Sequence, residues 1–120
     1  MTKKLFIVDD SNELRKAYKR YIENRTNEYE FREARNGLEA QKILFEENYI
    51  PDYMILDNQM PVMGGMELLR IIHKEGLTQK IRLAIGSGSI TKVLREEIES
   101  YNVKIFEKPF NLQDLINYFK

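Results

Sequence analysis

Three carboxylates, one hydroxyl and one ammonium sit just past short apolar runs in this 120-residue chain. Asp9 and Asp10 follow "LFIV" (5–8), Asp57 follows "YMIL" (53–56), Ser87 follows "LAIG" (83–86), and Lys108 follows "KIFE" (104–107). Like charges at the rim of a core raise each other's pKa and are unfavourable unless a cation or hydrogen-bond donors meet them. A hard divalent cation with oxygen preference meets three carboxylates better than any side chain nearby, and Mg2+ is the natural choice. It keeps several waters and takes one or two carboxylates together with phosphoryl oxygens. Asp57 can then attack phosphorus and form an acyl phosphate, with the metal and Lys108 neutralising the oxygens that gain charge and Ser87 donating to one of them. The product adds roughly −1.5 to −2 charge, which gives the loops carrying Ser87 and Lys108 reason to move inward, as in a switch.

Those five residues converge only if the runs before them are neighbouring strands. "LFIV", "YMIL", "IRLAI" (81–85) and "VKIF" (103–106) have the composition of strands covered on both faces, and "YEFREA" (29–34) alternates as an edge strand with one wetter face does. Helical spacing fills the gaps: Leu14, Ala17, Tyr18, Tyr21 and Ile22; Ala40, Ile43 and Leu44; Leu68, Leu69 and Ile72; Ile90, Val93, Leu94, Ile98 and Tyr101; Leu112, Leu115, Ile116 and Phe119. Asn36 with Glu39 forms a cap pair that outweighs the hairpin reading of Asn36-Gly37. Five strands alternating with five helices predict an α/β doubly wound parallel sheet with right-handed crossovers. Ligands of such sheets sit at the carboxyl ends of the strands, where the strand order reverses.

Composition excludes other chemistry. Lys plus Arg equals Asp plus Glu at 19 each, and no basic run exceeds two residues, so direct nucleic-acid binding is not expected. The chain has no cysteine, which rules out disulfides, Cys-ligated zinc and thiol catalysis and permits a reducing cytoplasmic setting. The apolar part of "MTKKLFIV" is too short for a signal sequence or a membrane span. With no linker or repeat, residues 1–120 are expected to form a single domain without an attached output domain.

"VDDS" at 8–11, "LDNQMPVMGG" at 56–65, "GSG" at 86–88 and "EKPF" at 107–110 together resemble the receiver domains of two-component response regulators. The resemblance covers essentially the whole chain. It implies a flavodoxin-like sheet of order 2-1-3-4-5, the order for which a chemotaxis member of this family is a known example. It implies that Asp57 is phosphorylated by a sensor histidine kinase or a histidine phosphotransfer protein, and that Asp9 and Asp10 hold Mg2+ with Asp57 and the backbone carbonyl of Gln59. Ser87 becomes the conformational hydroxyl, Lys108 the phosphoryl contact, and Lys108–Pro109 a cis bond. Gln59 and Ser89 occupy the positions that tune phosphate lifetime.

The chain departs from the family pattern in three places. Gly64-Gly65 replaces Asp-Gly, which should loosen the start of the third helix. Ile105 replaces the aromatic residue that swings with the hydroxyl, and Phe106 cannot substitute because its side chain leaves the strand on the opposite face. Gly86 and Gly88 flank Ser87 and predict a mobile loop with little bulk over the phosphoryl pocket.

Simpler readings stand beside these. Asp10 with Glu13 can be a helix cap pair, Ser87 a turn residue, Asp52 a solvated turn residue, and His73 an exposed residue of the third helix with no partner and no role. "GSGSIT" lacks the glycines and the lysine of nucleotide-binding loops. Three functions follow. The first is a phosphorylation-controlled module whose fourth helix, fifth strand and fifth helix present a face to a downstream protein target. The second is a degenerate receiver that binds constitutively. The third, a phosphatase turning over on Asp57, wants a second acid where Gln59 stands. A module of the first kind catalyses only its own phosphorylation and dephosphorylation, and both chemotaxis-type signalling and a phosphorelay intermediate suit it.

Overall fold

The computed structural model describes residues 2–120, and in it the four apolar runs and the alternating one become the strands of a single parallel sheet. The strands are β1 (Lys3–Val8), β2 (Tyr29–Ala34), β3 (Tyr53–Asp57), β4 (Arg82–Ser87) and β5 (Lys104–Glu107). Their order is β2-β1-β3-β4-β5, with every pairing parallel. The connections carry α1 (Asn12–Glu23), α2 (Gly37–Gln41), α3 (Gly65–Lys74), α4 (Lys92–Ser100) and α5 (Leu112–Phe119). This is the expected flavodoxin-like fold, and its order reverses between β1 and β3.

Side chains leave a strand to alternate faces, so each apolar run feeds two cores. Phe6, Val8, Met54, Leu56, Leu83 and Ile85 pack with Ala40, Leu44, Leu69, Ile72 and Ile98 on the face covered by α2, α3 and α4. Leu5, Ile7, Ile55, Ala84 and Phe106 pack with Tyr18, Ile22, Leu115, Ile116 and Phe119 under α1 and α5. Leu5, Phe6, Ile7 and Val8 are each 0% exposed. At about 1.5–3 kcal/mol per buried side chain, β1 anchors both layers. β2 has a neighbour on one side only and buries Ala34 alone, as its alternation predicts.

The helix ends refine the sequence expectations. Ser11, not Asp10, caps α1: its Oγ accepts the Leu14 N–H at 3.1 Å, so Asp10 is not a capping residue. The Asn36–Glu39 pair forms as expected, with Asn36 Oδ1 accepting the Glu39 N–H at 2.8 Å. Helix α2 is short and runs on as a π-helical turn over Lys42–Glu46, which the apolar spacing did not reveal. Two predicted stripes are only partly buried. Leu14 and Ala17 of α1 are exposed, and in α4 Val93 is 75% exposed while Ile90 precedes the helix. Gly64 leaves α3 without a side-chain cap, but Gly65 is tightly seated: a Cβ there would lie 2.3 Å from the Asp57 carbonyl oxygen and 2.8 Å from Asn58 Cα. The start of α3 is thus fixed by close approach rather than loosened.

Candidate functional site

Val8 and Leu56 are register partners on adjacent strands, so the residues that follow them, Asp9 and Asp57, emerge side by side at the carboxyl rim. The Asp9 N–H extends the β1–β2 ladder by bonding the Ala34 carbonyl at 3.1 Å, and Asp57 is the last residue of β3. Both carboxylates are buried, and Asp10, one residue on, is exposed. One carboxylate oxygen from each of Asp9, Asp10 and Asp57 lies within 4.8 Å of the others. From the end of β5, Lys108 Nζ reaches Asp57 Oδ1 at 2.9 Å and Asp9 Oδ2 at 3.8 Å. The Lys108–Pro109 bond is cis, and the Lys108 N–H donates to the Ser87 carbonyl at 2.8 Å.

Burial pushes the Asp9 carboxyl above its ordinary range. The Ser11 N–H, donating to Asp9 Oδ1 at 2.9 Å, and Lys108 pull it down, while Asp57 and Asp10 push it up. Burial also raises the Tyr18 phenol beneath the site, and the charges of Asp9 and Asp57 add to the shift. Among the described residues Lys108 is the ammonium that meets the three acids, bonding Asp57 and pairing with Asp9 while Asp10 has no cationic partner, so the notch retains negative charge. Both hydrogen bonds to Asp57, from Lys108 and from the Gln59 N–H at 3.4 Å, fall on Oδ1; among the described residues none falls on Oδ2. An all-oxygen donor set with surplus negative charge and an unengaged carboxylate oxygen fits a hard cation such as Mg2+.

The remaining candidates stand differently. Ser87 is buried at the end of β4, but its Oγ donates to the Ser89 carbonyl at 2.8 Å rather than to the carboxylates. Gln59 and Ser89 are exposed at the rim. Ile105 packs into the α2–α4 core while Phe106 enters the opposite one, as alternation requires. Gly86 is a buried strand residue in register with Asp57, not part of a loop, and a Cβ on it would touch Lys108 Cε and Phe110 at 3.4 Å. Only Gly88 of the flanking pair has open space around it.

Three residues near the site were not singled out from the sequence for it. Arg15 Nη1 donates to the Asp9 carbonyl at 2.6 Å while its Nε pairs with Glu33 at 3.0 Å. The signal was its place one helical turn after the cap residue Ser11. Tyr18 was read only as a core residue. Asn58 Nδ2 lies 3.3 Å from Ser87 Oγ, signalled by a polar residue directly after the strand-terminal acid. Two background residues also have partners after all. The Asp52 carboxylate accepts the Lys4 N–H at 2.8 Å, and His73, exposed as expected, bonds Thr78 Oγ1 at 3.1 Å and stacks on Tyr101.

Comparison with known proteins agrees with this fold. The family model for the response regulator receiver domain matches residues 5–120. The transcriptional regulatory protein SrrA of Staphylococcus aureus is 29% identical over 116 residues, which are 97% of this chain and 46% of SrrA, so the chain spans about half the length of the curated relatives it matches. A LuxR-family DNA-binding response regulator from Staphylococcus aureus superposes with TM-score 0.82 at 30% identity, covering 97% of this chain and 94% of that one. The Francisella response regulator 1452 receiver domain superposes with TM-score 0.84 at 23% identity, over 98% and 93% of the two chains, and shows the shared fold. The quoted motifs, the sheet order β2-β1-β3-β4-β5 and the family model over residues 5–120 agree, and the chain belongs to the response regulator receiver domain family.

Proposed function

We propose that Asp57 accepts a phosphoryl group from the phosphohistidine of a sensor histidine kinase or histidine phosphotransfer protein. Asp57 Oδ2 forms the new bond to phosphorus, the phosphorus–nitrogen bond breaks, and its electron pair returns to the imidazole. Lys108, already 2.9 Å from Asp57, neutralises the transferring oxygens. Asp9 and Asp10, with Asp57 and the Gln59 carbonyl, are the residues that would hold Mg2+, which when bound supplies further neutralisation at those oxygens. Ser87 senses the phosphoryl group, with Ile105 as the aliphatic residue coupled to it, and Gln59 and Ser89 at the rim govern how water reaches the acyl phosphate. The observation that carries the reading is the meeting of three carboxylates and Lys108 at one sheet edge.

The output is a change in the face formed by α4, β5 and α5. Helix α4 buries only Ile98, which supports this choice. Its partner is a downstream protein or a further region of the same polypeptide, with residues 1–120 acting as one receiver unit in the cytoplasm, where histidine kinase domains meet their acceptors. No helix among the described residues is long and apolar enough to cross a membrane. The module acts on itself rather than on an external substrate. A chemotaxis-type output and a phosphorelay step differ only in the partner.

Incubation with acetyl phosphate and Mg2+, followed by intact-mass analysis, tests the proposal. A gain of one phosphoryl group that disappears in Asp57→Asn and on chelation is expected. No gain, or a gain that survives either change, would contradict it.

A further inference from the structure

Asn58 follows Asp57 on a backbone fixed from both sides. Its N–H donates to the Gly86 carbonyl at 2.9 Å, and its carbonyl accepts the Gly65 N–H at 2.9 Å. Its half-buried side chain thereby aims Nδ2 at Ser87 Oγ, 3.3 Å away. Ser87 is 1% exposed; its Oγ donates to the Ser89 carbonyl at 2.8 Å and faces the Ser89 N–H at 3.3 Å. A hydroxyl offers one proton and two lone pairs, and here all three are engaged. Because the single proton goes to Ser89, the Asn58 group facing Oγ is the amide NH2 and not the amide oxygen.

We propose that Asn58 is a positioning residue that latches the Ser87 hydroxyl onto the β4–α4 loop in the unphosphorylated chain. The proposal rests on reading Ser87 as the hydroxyl that senses the phosphoryl group. To donate to a phosphoryl oxygen, Ser87 has to withdraw its proton from the Ser89 carbonyl. Donation from Asn58 into Oγ polarises the O–H and strengthens the bond that must break. The latch stabilises the unmodified state selectively, and so it weakens the response to a phosphoryl group by its own differential free energy.

Beryllofluoride with Mg2+ serves as the phosphoryl mimic, followed through the backbone amide resonances of Ser87 and Ser89. Asn58→Leu keeps the branching at Cγ and removes the donor; Asn58→Ala is the second variant should the bulkier Leu not fit beside Gly86. In the variants free of ligand, the Ser87 and Ser89 resonances are expected to move toward their positions in beryllofluoride-bound wild type. Affinity for beryllofluoride is expected to rise roughly two- to tenfold, the span of one neutral hydrogen bond. In a Ser87→Ala background, Asn58→Leu is expected to change the affinity no further. Unmoved resonances with unchanged affinity in both Asn58 variants, or the same change with and without the Ser87 hydroxyl, would overturn the latch while leaving Ser87 as sensor. A wild type whose Ser87 resonance ignores bound beryllofluoride would overturn the sensor reading and the latch together.

Discussion

Helices α3 and α4 lie on the same face of the sheet but are attached to it in different ways. α3 buries Gly65, Met66, Leu68, Leu69 and Ile72, whereas α4 buries Ile98 alone and leaves Val93 75% exposed. Beyond Ile98 and the partly buried Leu94, α4 is tied down by polar contacts: Arg70 of α3 forks onto Glu97 at 2.6 and 2.9 Å, Tyr101 donates to the same carboxylate, and Arg95 pairs with Glu107 of β5. The site straddles this contrast. Asp9 and Asp57 sit on the central strands, Asp57 with Gly65 wedged against its carbonyl, while Ser87 and Lys108 sit at the ends of the strands that flank α4. Exposed ion pairs are individually weak and are exchanged for water contacts at little loss, while a packed apolar face is not. The half of the molecule that holds the acids is fixed by packing, and the half that would answer a phosphoryl group on the proposed reading is the more lightly packed one.

Truncating the α3 face should have the largest effect. Leu69→Ala, at a site with 0% exposure, should lower unfolding stability in urea by about 2–5 kcal/mol, whereas Val93→Ala in α4 should stay within about 0.5 kcal/mol. Comparable losses at the two positions would erase the contrast. The glycines give the next test: Gly65→Ala forces a Cβ into the Asp57 backbone and should be destabilising by about 1–3 kcal/mol, while Gly88→Ala, with nothing within 4 Å, should be near neutral.

The smallest effect concerns the ionic tether and depends on pH. The Arg70 guanidinium and the Tyr101 hydroxyl, donating to Glu97, hold its carboxyl at about 2. That lies below the ordinary glutamate value of 4.5, so the tether's contribution is complete above that value and is lost as pH falls from there toward 2. Both partners are partly exposed, which limits the contribution to about 0.5–1 kcal/mol. Glu97→Gln should therefore lower the urea midpoint at pH 7 slightly, and the gap to wild type should close in acid. A gap that widens in acid would show that the tether is held by something other than the ionised carboxylate.

The strands were legible because a strand covered on both faces needs an unbroken apolar run, and no other element of that length does. Their ends were less so: β4 and β5 extend to Ser87 and Glu107, since ladder bonds continue through polar residues once a neighbour is in register. The acids and Lys108 were legible from their place after those runs. The cap on α1 was misread because Asp10 and Ser11 are both good caps, and the choice falls on Ser11 when Asp10 turns outward beside the other two acids. Arg15 and Asn58 escaped notice because their places after the cap residue and after the strand-terminal acid mark them only weakly, while their partners, a backbone carbonyl and a hydroxyl, are brought near by the fold. The exposure of Leu14, Ala17 and Val93 was hidden for a related reason, since periodicity marks an apolar face but not whether anything covers it.

The most direct test is a crystal structure grown with Mg2+ and beryllofluoride. The account predicts beryllofluoride on the Asp57 carboxylate, the cation among the oxygens of Asp9, Asp10 and Asp57, and Lys108 on a fluoride. Beryllofluoride and cation bound elsewhere, or a notch that stays empty at saturating concentrations, would contradict it.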